Sequence, residues 1–180
     1  MEIKEGKLKG IIEIQPRIFP DKRGRFFEGW NKNRFEEMGL NLNFVQDNHS
    51  FSHKGVLRGL HFQNPPHEQG KLVFVPRGKV LDVAVDIRLN SPTYGQFEKF
   101  LLDGEKGNMV FIPAGFAHGF LALEDSNLSY KCTNFYNHGS EAGIFWNDPQ
   151  IGIDWGIAEP MISEKDAILP LFAEFNSLFK

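Results

Sequence analysis

His61, Lys71 and Tyr130 carry side chains that hold, move or stabilise protons, and their types suit chemistry through an anion. A free imidazole titrates near about pH 6.5, so such a group can be neutral at working pH and still accept a proton. Lys71 brings an ammonium, which donates hydrogen bonds but does not ligate a metal; a fixed cation repels a divalent ion. Tyr130 shares strand parity with Cys132, Asn134 and Tyr136, so both tyrosines can enter one space. A phenol near a cation has the acidity to donate a proton. Asp166 has a purely local reading: Ser163, three residues earlier, would cap the helix that Asp166 enters.

The elements that would position these groups are short. Apolar-alternating runs separated by glycine, proline and asparagine turns predict an all-β sandwich or barrel. Strands are expected at 71–75, 79–87, 97–103, 108–112 and 129–136. In the second, Leu81, Val83, Val85 and Ile87 share one face, and Asp82, Ala84 and Asp86 the other. A polar face on a sheet packed on both sides needs water or polar partners, which predicts a wet cavity. Asp82 would there keep Lys71 charged and aimed. Short helices are expected at 32–39 and 164–178, around a barrel core at 43–147, all in a single domain spanning 1–180.

Composition narrows the function classes. With 180 residues and a net charge of -3, the chain suits one domain and shows no basic footprint for nucleic acid or anionic membrane. One cysteine, Cys132, excludes an internal disulfide and fits a reducing compartment. No stretch approaches the roughly 20 apolar residues of a membrane span, and the N-terminus lacks a signal-peptide core. The expectation is a cytoplasmic protein without nucleic-acid or membrane partners.

The run Gly55, His61, Gln63, Lys71 and Gly78 resembles the first signature of the cupin barrels, and Pro113, Gly115 and His118 in "IPAGFAHGF" resemble the second. The resemblance implies a jelly roll closed around a central cavity. Metal-holding cupins use three histidines and a glutamate; here two of those places read Gln63 and Lys71. The expectation is no metal and no cofactor, with an organic cation in the metal's stead.

Seven motifs in order make the resemblance narrower: "DKRGRFFE", "VQDNHSFS", "GVLRGLHFQNPP", "QGKLVFVPRGKVLDVAVDIRLNSPTYG", "IPAGFAHGF", "YKCTNFY" and "WNDPQIGIDW". Together they resemble the dTDP-4-dehydrorhamnose 3,5-epimerase family over nearly the whole chain. His67, Glu68 and Gly156 depart from the usual pattern, away from presumed catalytic positions. The resemblance implies a cofactor-free isomerase acting on a dTDP-linked 4-keto-6-deoxy sugar, inverting carbons 3 and 5. An epimerase of one carbon, or of another nucleotide-linked keto sugar, is the alternative. By the same resemblance His61 is the base, Asp166 its orienting partner, Lys71 the oxyanion holder and Tyr130 the acid. Substrate contacts are implied for Arg23, Glu28, Gln46, Asp47, Asn48, Arg58, Lys71, His118, Tyr136, Glu141 and Lys165. Family members are homodimers whose N-terminal strands, about residues 1–30 here, cross to the partner, so Arg23 and Glu28 are expected to serve the neighbouring pocket.

Two tensions follow. Asp166 can cap its helix or orient His61, and the local sequence leaves both open. Arg58 and His61 are three apart, which on a regular strand sends them to opposite faces; a bulge at Gly59 would reconcile them.

Overall fold

Alternating apolar residues pair the strands of this chain into two antiparallel sheets that face one another. The computed structural model describes all 180 residues. Its strands are β1 (Glu2–Glu5), β2 (Ile12–Gln15), β3 (Phe19–Asp21), β4 (Gly24–Phe26), β5 (Gln46–Ser52), β6 (Leu57–Gln63) and β7 (Lys71–Arg77). They continue as β8 (Lys79–Asp86), β9 (Phe97–Asp103), β10 (Met109–Ile112), β11 (Phe116–Ala122), β12 (Ser126–Cys132) and β13 (Glu141–Gly143). One sheet runs β1-β2-β10-β7-β12-β5 and the other β13-β6-β11-β8-β9, while β3 and β4 form a separate hairpin. This is the mostly antiparallel, cupin-like jelly roll expected from the turn-punctuated sequence.

Side-chain alternation along β8 explains the layering. Val80 and Ala84 join Val73, Val75, Val110 and Leu128 between the sheets, in the barrel interior. Val83, Val85 and Ile87 point outward into a second core with Trp146, Ile153, Trp155, Phe172 and Phe179. Residues after β13 therefore form a cover over the second sheet. Each fully buried Val, Ile or Phe stabilises the fold by about 1.5–3 kcal/mol, so this cover is held by packing rather than by regular structure. A third cluster packs Phe35 of helix α1 (Lys32–Glu37) on Ile14, Leu72, Met109 and Phe111.

The cover is also tied to β6. Leu57 N–H donates to the Met161 carbonyl and Met161 N–H to the Gly55 carbonyl, both at 2.9 Å. These bonds bring Ser163 and helix α2 (Glu164–Ala167) against the barrel mouth.

The predicted helix over 164–178 is corrected to that one turn and a separate 3-10 turn at Phe172–Glu174. Pro170 explains it: its ring disfavours helical geometry at Leu169, and it has no N–H to offer a helix. The 129–136 strand is also shifted, to Ser126–Cys132, so Tyr136 lies beyond β12 rather than on it. No helix is long and apolar enough to cross a membrane.

Candidate active site

Gly59 places two functional residues in one cavity. The β6–β11 register shifts between His118 and Phe120, beside Gly59, whose φ of +135° suits only glycine. The two backbones approach so closely that a Cβ on Gly59 would sit 2.5 Å from Gly119 Cα. With this irregularity Arg58 and His61 both line a cavity of about 600 Å³, within the usual range for small-molecule sites. The Arg58 guanidinium lies along the wall, donating Nε to Ser52 Oγ at 3.1 Å and Nη2 to the Phe51 carbonyl at 3.2 Å.

His61 Nε2 lies 2.6 Å from Asp166 Oδ1. Asp166 is 2 % exposed, and its other oxygen accepts the Gly59 N–H at 3.3 Å. Burial by itself would raise this carboxyl; the hydrogen bond and charge of His61, aided by Gly59 N–H and Ser163, outweigh it and hold the carboxyl below its ordinary range. The capping role persists as well. Ser163 Oγ accepts the Asp166 backbone N–H at 3.1 Å, while the aspartate side chain stays free for the imidazole. A carboxylate on Nε2 sets the tautomer, which leaves Nδ1 free to take a proton.

Lys71 begins β7, in the opposite sheet, and its Nζ reaches across to the His61 carbonyl at 3.5 Å. Burial pushes the ammonium down from the usual lysine range; Cys132, Asp82 and Glu141 partly offset that. Tyr130, on β12, has its ring 6.0 Å from Lys71 Nζ. Burial pushes its phenol up, so it stays protonated at neutral pH and available as an acid.

Asp82 does not pair with Lys71 directly, contrary to the expected contact. Its Oδ2 takes His118 Nε2 at 2.8 Å instead, because β8 and β11 are neighbours with Asp82 opposite Phe120 and Ala84 opposite His118. This second histidine–carboxylate pair was not legible in the sequence, since nothing local couples residues 36 apart. Gln63 is buried and tied to its own chain: Nε2 donates to the His67 and Phe135 carbonyls, and Oε1 accepts Asn137 N–H at 2.8 Å. It shapes the loop after β12, and both of its donor hydrogens are spent there.

At the mouth, Glu141 ties Lys165 Nζ at 2.6 Å to the Tyr136 hydroxyl at 3.0 Å. The same carboxyl, pushed up by burial, is held low overall by Lys165 and Tyr136, with His61 adding its charge. Gln46 and Asn48 line the wall from β5, hydrogen-bonded to each other at 3.0 Å. Gln46 Oε1 also accepts the Tyr136 N–H at 2.9 Å, fixing the exposed tyrosine over the opening.

Three residues expected at the substrate fall outside this cavity. The Asp47 side chain is turned by strand alternation to the outer face, where Lys131 Nζ holds both carboxylate oxygens at 2.9 Å. Arg23 lies in the β3–β4 hairpin, exposed and paired with Asp21 at 2.6 Å. Glu28 pairs with Arg34 at 3.2 Å beside α1. The chain's own pocket is thus built without Arg23, Glu28 or Asp47.

An imidazole backed by a carboxylate, beside a cation and a phenol, is equipped to move protons at a carbon acid. Known proteins with this architecture give that chemistry a class: the chain is an isomerase of the nucleotide-sugar epimerase kind, built on a cupin-like jelly roll. More narrowly, it belongs to the dTDP-4-dehydrorhamnose 3,5-epimerase family, whose sequence profile matches residues 5–174. It is 50% identical over 164 residues to the dTDP-4-dehydrorhamnose 3,5-epimerase of Salmonella typhimurium, covering 89% of this chain and 90% of the relative. The Methanothermobacter thermautotrophicus enzyme of the same name is 52% identical over 163 residues, 88% of each chain. Among solved structures, the dTDP-6-deoxy-D-glucose-3,5-epimerase of Legionella pneumophila, in complex with dTDP-4-keto-L-rhamnose, superposes with a TM-score of 0.93 at 46% identity. That match covers 97% of this chain and 94% of the other.

Proposed function

We propose that this chain converts dTDP-4-dehydro-6-deoxy-D-glucose to dTDP-4-dehydro-L-rhamnose by inverting carbons 5 and 3 beside the carbon-4 ketone, as a step of dTDP-L-rhamnose formation. The observation that carries the residue roles is the His61–Asp166 contact at 2.6 Å in the cavity that Lys71 enters. His61 Nδ1 removes the proton next to the ketone, and the electron pair moves into the carbon-4 oxygen as an enolate. Asp166 supports the imidazolium so formed. Lys71 holds the enolate oxygen, a preorganised charge that acts only as the anion develops. Tyr130 returns a proton to the other face; His61 then gives its proton to solvent and Tyr130 takes one back, and the same cycle at the second carbon completes the double inversion. Protons alone are moved, so the scheme balances without an oxidant or reductant.

The nucleotide half would lie toward the mouth, where Arg58 and Lys165 offer cations to a diphosphate. Tyr136 has an exposed ring placed to stack on the base, and Gln46, Asn48, His118 and Glu141 supply polar contacts. Arg23 and Glu28 fit a homodimer in which the N-terminal hairpin reaches a second subunit's pocket. That hairpin carries Phe19 and Phe26, 48% and 69% exposed, in keeping with a surface that another copy covers. A single unpaired cysteine agrees with a cytoplasmic setting.

Heavy water tests the reaction. Incubation with dTDP-4-dehydro-6-deoxy-D-glucose is expected to place deuterium at carbons 3 and 5 and to invert both. Deuterium at neither position overturns the proposal, and exchange at one alone reduces the enzyme to a single-carbon epimerase.

A further inference from the structure

Two histidine–carboxylate pairs, not one, present an imidazole to the cavity. His61 and His118 are register partners on adjacent strands, and each presents Nε2 to a buried aspartate. Asp82, the carboxylate of the second pair, is 0% exposed. Its Oδ2 is taken by His118, whereas its Oδ1 has no hydrogen-bond partner at all. A carboxylate withdrawn from water with one oxygen unspent is costly to keep, so a compensating charge is expected close by.

Lys71 is the cation that lacks a counter-charge. Its sole hydrogen bond is the long one to the His61 carbonyl. Each element packed around its amine brings one titratable group or more. From β12 come Tyr130, protonated at neutral pH, and the Cys132 thiol, pushed up by burial and so uncharged there. Glu141 of β13 is already bound by Lys165 and Tyr136 at the mouth. From β6 come His61, committed to Asp166, and the cationic Arg58; β11 offers His118. Asp82, on β8, is the remaining anion with charge to spare, and it favours the ammonium through space rather than by contact.

We propose that Asp82 is a positioning residue serving two side chains, holding the His118 imidazole by one carboxylate oxygen and countering the charge of the Lys71 ammonium through space. This rests on the reading of Lys71 as the holder of the enolate oxygen. Without Asp82, burial would drive Lys71 towards the neutral amine, and the oxyanion would form against no charge.

Asp82→Asn isolates the effect, because the amide oxygen still accepts from His118 while the charge is gone. With the dTDP-linked keto sugar as substrate, kcat is expected to fall at neutral pH with KM nearly unchanged. The alkaline limb of the kcat profile should move down by about 1 pH unit or more, and lowering the pH should recover part of the loss. His118→Gln, which keeps the anion, should leave that limb in place. An alkaline limb in Asp82→Asn that coincides with the unmodified enzyme's overturns the proposal.

Should Asp82→Asn not fold, the unmodified protein answers the same question. Lysine labelled with carbon-13 at Cε, with the Lys71 signal assigned by Lys71→Met, is expected to show Lys71 protonated throughout pH 6 to 8 (roughly the neutral range,). A Lys71 already neutral at the middle of that range overturns the proposal. Failure of the underlying reaction would appear separately, as absence of any exchange at carbons 3 and 5 in the unmodified enzyme.

Discussion

Asp166 serves Ser163 with its backbone and His61 with its side chain: the N–H meets the serine hydroxyl at 3.1 Å, the carboxylate meets the imidazole at 2.6 Å. The cap therefore aims the pair proposed to be catalytic. Removing the charge and removing the cap should have separable effects. Asp166→Asn should lower kcat by about 10²–10⁴-fold, the range for losing an effective general base. Ser163→Ala should cost about 1 kcal/mol of stability and far less activity. Steady-state kinetics beside thermal melts would distinguish them, and equal kinetic losses in both variants would refute the orienting role.

The same carboxylate makes a pH prediction. Asp166 is held below its unfolded value of 3.8, so it contributes stability that is present above that pH and disappears as pH falls through the lower folded value. Asp166→Asn should thus lose its stability deficit at strongly acid pH, where the native carboxyl is protonated too. Melts from neutral pH down to about pH 3 measure this. A deficit that stays constant across the range would show that the aspartate stabilises by packing alone.

How much of this site could be read from the sequence depends on how local each cause was. With Arg58 and His61 both assigned to the cavity by resemblance, parity demanded an irregularity between them, and Gly59 was the residue able to supply it; the register shift lies there. Parity could equally have placed the Asp47 side chain, which alternates with Gln46 and Asn48 and faces Lys131 on the outside. Tertiary pairing was invisible. Asp82 meets His118 only because β8 and β11 are adjacent, a fact of topology rather than of local pattern. The C-terminal segment failed as a long helix because its apolar residues answer to the outer sheet core, with Pro170 breaking the run. Fold class was legible because alternation and turn chemistry are repeated many times along the chain.

Lys71 shows that activity and stability can be opposed at one residue. Burial lowers its proton affinity, so keeping it charged costs the folded state; stability rises with pH between the lowered folded value and the unfolded value of 10.5. Lys71→Met retains most of the side-chain volume and removes that cost. Its Tm should rise, by about 2–4 °C for each kcal/mol relieved, while kcat falls by about 10²–10³-fold from the lost oxyanion contact. A variant that is both less stable and fully active would contradict both assignments.

Tyr130→Phe separates proton removal from proton return. The phenol is pushed up by burial, which keeps the acid loaded at neutral pH, and phenylalanine fills the same space without it. Deuterium should still enter the substrate from heavy water, because the proton that His61 removes can exchange with solvent before His61 returns one to the same face. Inversion should slow by about 10²–10⁴-fold. Following deuterium by mass spectrometry and configuration by NMR in one sample resolves the two. Inversion at the unmodified rate would take the acid role from Tyr130.

Gly59 is where fold and chemistry depend on the same atoms. Its φ of +135° excludes ordinary side chains, and a Cβ would lie 2.5 Å from Gly119 Cα and 3.0 Å from the His118 carbonyl. Both obstacles are backbone, so neither can swing aside. Gly59→Ala must then open the β6–β11 contact or flatten the irregularity, at a cost of at least about 1–3 kcal/mol for the dihedral alone. Opening the contact would also withdraw the Gly59 N–H from Asp166 and displace His61 relative to His118, so activity should fall further than stability. The comparison is Gly119→Ala, whose Cβ would meet the Arg58 carbonyl at 2.8 Å from the other strand. That change strains the same crossing without altering the residue between Arg58 and His61. Both variants should melt earlier than the unmodified protein, and Gly59→Ala should retain less dTDP binding because Arg58 is re-aimed as well. Equal binding by the two would mean that the irregularity serves packing and not the placement of Arg58.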